Sequence, residues 1–390
     1  MKRILFLTTI ADSAYVVYRG YLRYLREQGW DVRVASASDG SLERWAASEG
    51  ARGYALPLVR QISLAADIRG LIAIMGLIRR LRPDVVVSAT PKAGLLGTVA
   101  AWINRVPVRV YDVWGLRMET EHGMKRHVLG WSERVAMAAA TDVYANSESL
   151  RRMCHALGLS GRKSVKVVGS GSSYGVDCEY FGRDCVDDIP PEVADFLGDA
   201  PPDRLVVGFV GRLTKDKGID TLLDATQRCL DQGVSLRLIL VGATEDERIV
   251  ERVDVFCARG VALRVGHVDD VRGYLKVMDV LCLPSLREGF PNVVLEAAAM
   301  EVPAIVSDAT GAVDSVVDGE TGWIVPVGDA GQLAQMLRRL ADDPVRRTAI
   351  GGNAREWVCR SFDRKQLWGS RLAEMGWTVG ESRTARAGSA

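Results

Sequence analysis

Short runs of branched residues alternate with amphipathic segments along this chain of 390 residues, and that alternation predicts an α/β protein of two doubly wound, Rossmann-like parallel-sheet domains. The rhythm starts twice, with an aperiodic, proline-bearing stretch between the two starts. In the first half, Ile4–Thr8 reads as a strand, Tyr18–Glu27 as an amphipathic helix and Val32–Ala35 as the next strand. Asp67–Leu81 and Val85–Ser88 continue the pattern, and Gly29 and Pro83 fall just past the two helices, where a helix stops. Val108–Asp112, Asp142–Ala145 and Val165–Val168 supply further strands, with a helix near Gly130–Ala140.

The stretch Gly169–Asp203 carries Asp187-Asp188, Pro190-Pro191 and Pro201-Pro202 and reads as a connection with one short helix. The expected boundary lies here, giving domains of residues 1–180 and 181–362. The second domain follows as Leu205–Val210, Asp220–Asp231, Leu236–Val241, Glu247–Arg259, Val280–Leu283, Val293–Met300, Ala304–Ser307 and Gly322–Val325. Gln332–Leu340 and the amphipathic stretch Asn353–Trp377 close the chain. The last helix, 363–377, is expected to pack back on the first domain, and the small, polar tail 378–390 to be disordered. Ligands of open α/β sheets lie beyond the carboxyl ends of the strands, so a cleft faced by both sheets is the expected active site.

Composition excludes several classes. The chain holds 50 Lys+Arg against 49 Asp+Glu, and no nucleic acid partner is expected. Met1–Leu7 begins like a signal peptide, but the apolar run ends at Thr8-Thr9 without a cleavage site, and Gly70–Ile78 is far too short to span a bilayer. Seven cysteines without a C-x-x-C pair suit a reducing cytosol, and four histidines without ligand spacing argue against zinc. Residues 1–180 carry a net +9 and residues 181–390 a net −8, so the first half should prefer an anionic partner.

The chemistry concentrates in Pro284-Ser285-Leu286-Arg287-Glu288-Gly289-Phe290-Pro291-Asn292, which leads from a strand end through a glycine-containing loop into a helix bearing Glu296. Asn292 can cap that helix. Both glutamates can then face a ligand at the helix N-terminus, where free N–H groups and the dipole suit a phosphate. Taken alone, two glutamates read as readily as a surface ion pair and a helix-start preference. Gly208-Phe209-Val210-Gly211-Arg212-Leu213-Thr214-Lys215-Asp216-Lys217-Gly218 changes the balance, because Arg212 and Lys217 flank a strand-to-helix turn and can grip two phosphates.

With Val265-Gly266-His267 and Asp308-Ala309-Thr310-Gly311 at other strand ends, these segments resemble family 4 of the retaining nucleotide-sugar glycosyltransferases, which have the GT-B fold. The likeness rests on glutamate, seven residues, glutamate at Glu288 and Glu296, within E-G-F and G-R-L-x-x-x-K-G patterns, and it covers nearly the whole chain. It implies that Arg212 and Lys217 neutralise a departing diphosphate without a metal, and no D-x-D is present to hold one. It further implies that Glu296 holds the ribose, that Glu288 binds sugar hydroxyls near the N–H groups of Gly289, Phe290 and Asn292, and that Gly211, Gly266, His267 and Gly311 line the donor site. Glu288 is then a binder and charge stabiliser in a front-face transfer rather than a covalent nucleophile. No cofactor is expected.

In the first half, Ser88-Ala89-Thr90-Pro91-Lys92-Ala93-Gly94, Tyr111-Asp112-Val113-Trp114-Gly115-Leu116-Arg117 and Gly169-Ser170-Gly171-Ser172-Ser173-Tyr174-Gly175 resemble the branch that builds capsule, O-antigen and glycan-carrier oligosaccharides. The resemblance makes a UDP-sugar the expected donor and a glycan or polyprenyl-diphosphate sugar the expected acceptor, with Lys92, Asp112 and Arg117 as acceptor-side candidates. The glycine spacing at Gly169, Gly171 and Gly175 does not fit a nicotinamide site. The chain departs from many relatives at Thr9-Ile10-Ala11-Asp12-Ser13, where they carry a glycine-rich loop, at Trp114, where they carry histidine, and at Glu301, where they carry glycine. Asp112 or His122 can replace that histidine as a proton acceptor on that side, and a purely structural role fits each of them equally. Arg60, Arg69, Arg79, Arg80 and Arg82 with Leu71, Ile72, Ile74, Met75 and Ile78, and Lys125, Arg126 and Trp131, suggest peripheral docking on an anionic membrane at the cytoplasmic face; a core-facing stripe with a solvated arginine face fits them equally. Two other functions fit the donor motifs, a nucleotide-sugar epimerase of the same fold and a nucleotide-sugar-binding protein without turnover.

Overall fold

A computed structural model describes residues 2–376 except 38–39, 60, 62, 173, 187, 199–202 and 245, with Ser13 and Val16 described by backbone alone. Of the residues singled out above, Arg60, Ser173, Asp187, Pro201, Pro202 and the tail from Trp377 lie outside this set. The chain divides into two compact units. One holds the chain through Asn146, Arg151–Gly169 and the residues from Lys365; the other holds Ser147–Leu150 and Ser170–Arg364. The division falls at Gly169–Ser170, ahead of the expected position at 180.

The first unit is built on β1 (Arg3–Leu7), β2 (Asp31–Ala37), β3 (Arg52–Leu56), β4 (Val85–Ala89), β5 (Val108–Val113), β6 (Asp142–Ala145) and β7 (Val165–Lys166). All are parallel, in the order β3-β2-β1-β4-β5-β6-β7. Its helices are α1 (Ala11–Val17), α2 (Tyr21–Glu27), α3 (Ser41–Glu49), α4 (Leu64–Leu81), α5 (Pro91–Ile103), α6 (Gly123–Ala139) and α7 (Glu148–Ala156), the last beginning in residues assigned to the second unit. The helix expected over Tyr18–Glu27 is α2, which starts later, at Tyr21, behind the left-handed Gly20 at φ 81, and the separate short helix α1 precedes it. Helix α4 ends as expected before Pro83, with Arg82 left-handed at φ 47.

The second unit carries β8 (Leu205–Val210), β9 (Leu236–Val241), β10 (Ala262–Val265), β11 (Val280–Leu283), β12 (Ala304–Ser307) and β13 (Gly322–Val325), again all parallel, in the order β10-β9-β8-β11-β12-β13. Strand β8 is buried along its whole length, which is why Leu-Val-Val-Gly-Phe-Val reads as a continuous apolar run: helices cover both faces of a parallel sheet. The helices are α8 (Pro191–Gly198), α9 (Ile219–Asp231), α10 (Glu247–Ala258), α11 (Arg272–Leu275), α12 (Asn292–Ala299), α13 (Ala330–Asp342), α14 (Pro344–Ser361) and α15 (Arg364–Glu374), the last running into the first unit.

The amphipathic stretch Asn353–Trp377 is thus interrupted at Phe362. The Val176 N–H donates to the Phe362 carbonyl and the Arg364 N–H to the Val176 carbonyl, so this backbone pairs with the connecting segment instead of continuing a helix. Phe362 is buried between the rings of Phe290 and Trp357, at 5.5 and 4.9 Å. Beside it, Cys178 and Cys359 form a disulfide with their Cα atoms 5.8 Å apart. This corrects the expectation of unpaired cysteines, because their 181-residue separation hides the pairing from any spacing rule.

Within the first unit, α15 packs Trp368 against Tyr21 and Tyr24, with ring centroids 5.8 and 5.4 Å apart. Arg371 of α15 reaches Asp112 on β5, at 2.6 and 2.7 Å to its two oxygens. That ion pair is buried from both sides.

Candidate active site

In the second unit, β8 and β11 are neighbours, yet the chain leaves β8 toward β9 on one side and leaves β11 toward β12 on the other. This reversal of direction opens a crevice at the carboxyl ends of the two strands, the standard ligand position of such sheets. Two loops meet there, Gly211–Gly218 after β8 and Pro284–Pro291 after β11. The Leu286 N–H donates to the Asp216 carbonyl, and Arg287 Nη2 lies 3.1 Å from Asp216 Oδ2. Gly218, at φ 73, is required by this contact, since a Cβ would stand 1.9 Å from the Pro284 carbonyl oxygen.

The loops bring Lys217 and Glu288 together across 71 residues. Lys217 Nζ donates to Glu288 Oε1 at 2.5 Å, and the Ser285 hydroxyl donates to the same oxygen at 2.7 Å. Both bonds fall on Oε1, leaving the lone pairs of Oε2 outside them. The pair is largely shielded, with side-chain exposures of 21% for Lys217 and 10% for Glu288. Ser285 is fully buried, and its carbonyl accepts from the Ser307 hydroxyl, so the support is itself held in place. Below the pair, burial pushes the Asp216 carboxyl up, but the Thr214 hydroxyl at 2.6 Å and the charges of Arg287, Arg212 and Lys217 outweigh it and hold Asp216 below the usual carboxylate range. The crevice therefore collects positive charge from three side chains around one ionised aspartate.

The other donor-side candidates sit on the same edge of the sheet. Gly211 and Arg212 end β8, with Arg212 exposed; Gly266 and His267 end β10, where His267 is exposed and 3.8 Å from Asp269. The Glu288 N–H donates to the Thr310 carbonyl, tying the loop after β11 to the loop after β12. Gly311, at φ 78, lies so close to the first loop that a Cβ would be 2.4 Å from the Gly289 carbonyl oxygen. Its N–H donates to Ser149 Oγ at 2.7 Å, and the Ser149 hydroxyl in turn bonds Asp314.

Asn292 does not cap α12 with its side chain: Pro291 occupies the cap position, and Asn292 Oδ1 accepts from the Ser172 hydroxyl at 2.9 Å. Ser172 thereby pins the connecting segment to the start of α12. Phe290 is buried, with its ring against that of Phe362. Glu296 is half-buried in the second turn of α12.

The first-unit candidates Lys92 and Asp112 bond different partners. Lys92, in the first turn of α5, pairs with Asp67 at 2.6 Å and also donates to the Gln61 carbonyl. Arg117 is exposed in a short 3-10 turn, and His122 is exposed just before α6. Asp112, named above as an acceptor-side candidate, is 1% exposed, and both its oxygens accept from Arg371. Sequence reasoning passed over Ser285, Ser149 and Ser172. A hydroxyl three residues before Glu288 was the available signal for the first; the other two act over 120 or more positions and left none.

Residues 204–343 match the family model described as glycosyl transferases group 1, and residues 14–171 match that of the glycosyl transferase 4-like domain. A capsular polysaccharide biosynthesis glycosyltransferase of Staphylococcus aureus, CapM, is 36% identical over 369 residues, covering 94% of this chain and 95% of the relative. An Escherichia coli UDP-Gal:alpha-D-GlcNAc-diphosphoundecaprenol alpha-1,3-galactosyltransferase is 25% identical over 347 residues, or 87% of each chain. Anabaena HepE, solved in complex with UDP and glucose, superposes with a TM-score of 0.77 at 20% identity, covering 96% of this chain and 100% of HepE. With two parallel, doubly wound units and a charged crevice at the strand reversal of the second, the chain belongs to glycosyltransferase family 4 and has the GT-B fold.

Proposed function

We propose that the protein transfers a hexosyl or N-acetylhexosaminyl group from a UDP-sugar to a glycan carried on a polyprenyl diphosphate, with retention at the anomeric carbon, in the synthesis of a bacterial capsule or related polysaccharide. The observation that carries the reading is the shielded Lys217–Glu288–Ser285 cluster between the two loops, with Glu296 on the helix that follows. An ammonium has three donors, so Lys217 can keep its bond to Glu288 and offer another to a phosphate oxygen. Arg212 supplies a planar fork for the second phosphate, and together the two cations offset the charge that develops as the diphosphate departs. This reading needs no divalent ion. Glu288 presents carboxylate oxygen to sugar hydroxyls, and Glu296 lies within the same helix start for the ribose.

The donor and acceptor classes are supported by the relatives, one named for a UDP-Gal donor and a diphosphoundecaprenol acceptor and another for capsule synthesis. No helix among the described residues is long and apolar enough to cross a membrane, and a lipid-linked acceptor would place the enzyme peripherally at the cytoplasmic face of the plasma membrane, with Lys92 and Arg117 as acceptor-side cations.

The test is thermal-shift screening against UDP, GDP, ADP and dTDP sugars in chelator, followed by transfer to a polyprenyl-diphosphate sugar with the product's anomeric configuration read by NMR. Stabilisation by a UDP-sugar, turnover unaffected by chelator and an axial-to-axial outcome are expected. Inversion, or a strict need for a divalent ion, would overturn the mechanism.

A further inference from the structure

Large apolar side chains left in solvent gather on three neighbouring helices of the first unit, α4, α5 and α6, which lie side by side on one face of its sheet. The apolar residues expected to meet a membrane are mostly committed elsewhere: Ile74 and Ile78 are core, and Leu71 and Met75 pack against it. On α4 only Ile72 of that set is exposed. It belongs to a different line, Leu64, Ile68 and Ile72, spaced by four and so on one side of α4, opposite the buried line Gly70, Ile74, Leu77. Leu64 is 79% exposed.

Helix α6 repeats the arrangement with Met124, Val128 and Trp131, of which Met124 is 77% and Trp131 62% exposed. Both lines start at the first turns of their helices, on the side of the sheet where the strands end. Between them α5 carries no charge after Lys92, and its outward line ends on the exposed Trp102. A soluble monomer rarely leaves such a set uncovered. Exposed Arg69 and Arg79 flank the first line, and exposed Lys125, paired with Glu121 at 2.6 Å, and half-buried Arg126 the second, within a half of the chain whose net charge is +9.

We propose that the outer face of α4, α5 and α6 docks on an anionic lipid bilayer, with the two apolar lines entering the headgroup boundary and the cations meeting lipid phosphates. Charge decides the occupant, since a second copy of the same basic face would bring like charges together, whereas an anionic interface satisfies both the apolar and the basic residues. The proposal rests on the peripheral placement given above and names the surface responsible.

The full chain is sedimented with vesicles of equal parts phosphatidylglycerol and phosphatidylcholine, and with phosphatidylcholine alone. Binding to the anionic vesicles that weakens with salt is expected. Ile72→Glu and Trp131→Glu should each weaken it by about tenfold or more, Arg69→Glu by about fivefold, and Val255→Glu on the second unit not at all. UDP-induced thermal stabilisation, measured without lipid, should persist in every variant and reports that each is folded with its donor site intact. The proposal fails if the unaltered chain ignores anionic vesicles at low salt, if the α4 and α6 variants bind as well as it does, or if the free protein is a dimer that those variants split. Vesicle binding without any nucleotide response would instead sink the transfer reading and leave the docking face standing.

Discussion

At Glu288, two hydrogen bonds on one oxygen hold a carboxylate in a fixed orientation before any ligand arrives. A preorganised charge needs little rearrangement as charge develops in the reaction, which is where such sites gain most of their rate. Glu288→Gln and Lys217→Met, both close in shape to the originals, should each lower kcat/KM for transfer by about a hundredfold or more, with melting temperatures little changed. Near-normal rates in either variant would remove the cluster from the mechanism. Ser285→Ala deletes one bond to a charged group, worth ~1.5–3 kcal/mol. It should lower kcat by about tenfold while UDP binding stays intact, because Lys217 still faces the phosphates. Glu288 and Lys217 were legible in the sequence because the strand–loop–helix pattern announces them. Their mutual contact was not, since it joins loops after two strands that are far apart in the chain and adjacent in the sheet.

Elements were legible where periodicity is strong, and illegible where an edge or a long-range contact intervenes. Strands β8, β9, β11, β12 and β13 fall where the apolar runs predict. Strand β3 escaped notice because it is an edge strand, exposed over most of Arg-Gly-Tyr-Ala-Leu, and carries no apolar run. The break between α14 and α15 falls beside the expected helix start at 363, and Val176 fixes it there by pairing with Phe362 and Arg364. Helix α15 is then held by the buried Arg371–Asp112 pair, with the Arg371 guanidinium also 5.4 Å from the Tyr144 ring centroid. Removing one member of such a pair leaves the other charged and buried, at a cost of about 3–5 kcal/mol. Arg371→Met should therefore lower stability to urea by that order, and adding Asp112→Asn should recover much of the loss. A single variant no less stable than the parent would mean that α15 is held by its aromatic contacts alone.

For the molecule as a whole, one buried acid shapes the response to pH. Glu133 on α6 is 4% exposed and accepts from the Tyr111 hydroxyl at 2.7 Å. Burial raises its pKa from the usual 4.5 to about 7, against a smaller lowering by that hydrogen bond. Between these values the folded chain holds a proton that the unfolded chain has released, so stability is highest below about pH 4.5 as far as this group is concerned and falls as pH rises toward 7. The loss amounts to roughly 3 kcal/mol. Glu133→Gln, which keeps the shape and an acceptor for Tyr111, should flatten that slope in denaturation curves taken across the window; an unchanged slope would assign it to other groups.

Local information was enough for the sequence to determine the two-fold α/β rhythm, most strand positions, and the two loops that carry the donor-side residues. Side-chain periodicity and turn residues act over a few positions, so they can be read directly from the chain. Tertiary structure alone decided which groups meet: Lys217 with Glu288 across 71 residues, Ser149 with Asp314 across 165, Cys178 with Cys359 across 181, and Arg371 with Asp112 across 259. It also made Asp112 half of a buried ion pair, and on α4 it chose the core for Ile74 and Ile78 while leaving Leu64, Ile68 and Ile72 in solvent. The physical reason is common to all of these. Strand order and the face a helix buries are set by the packing of the whole sheet, and no stretch of sequence short enough to show a period contains that information.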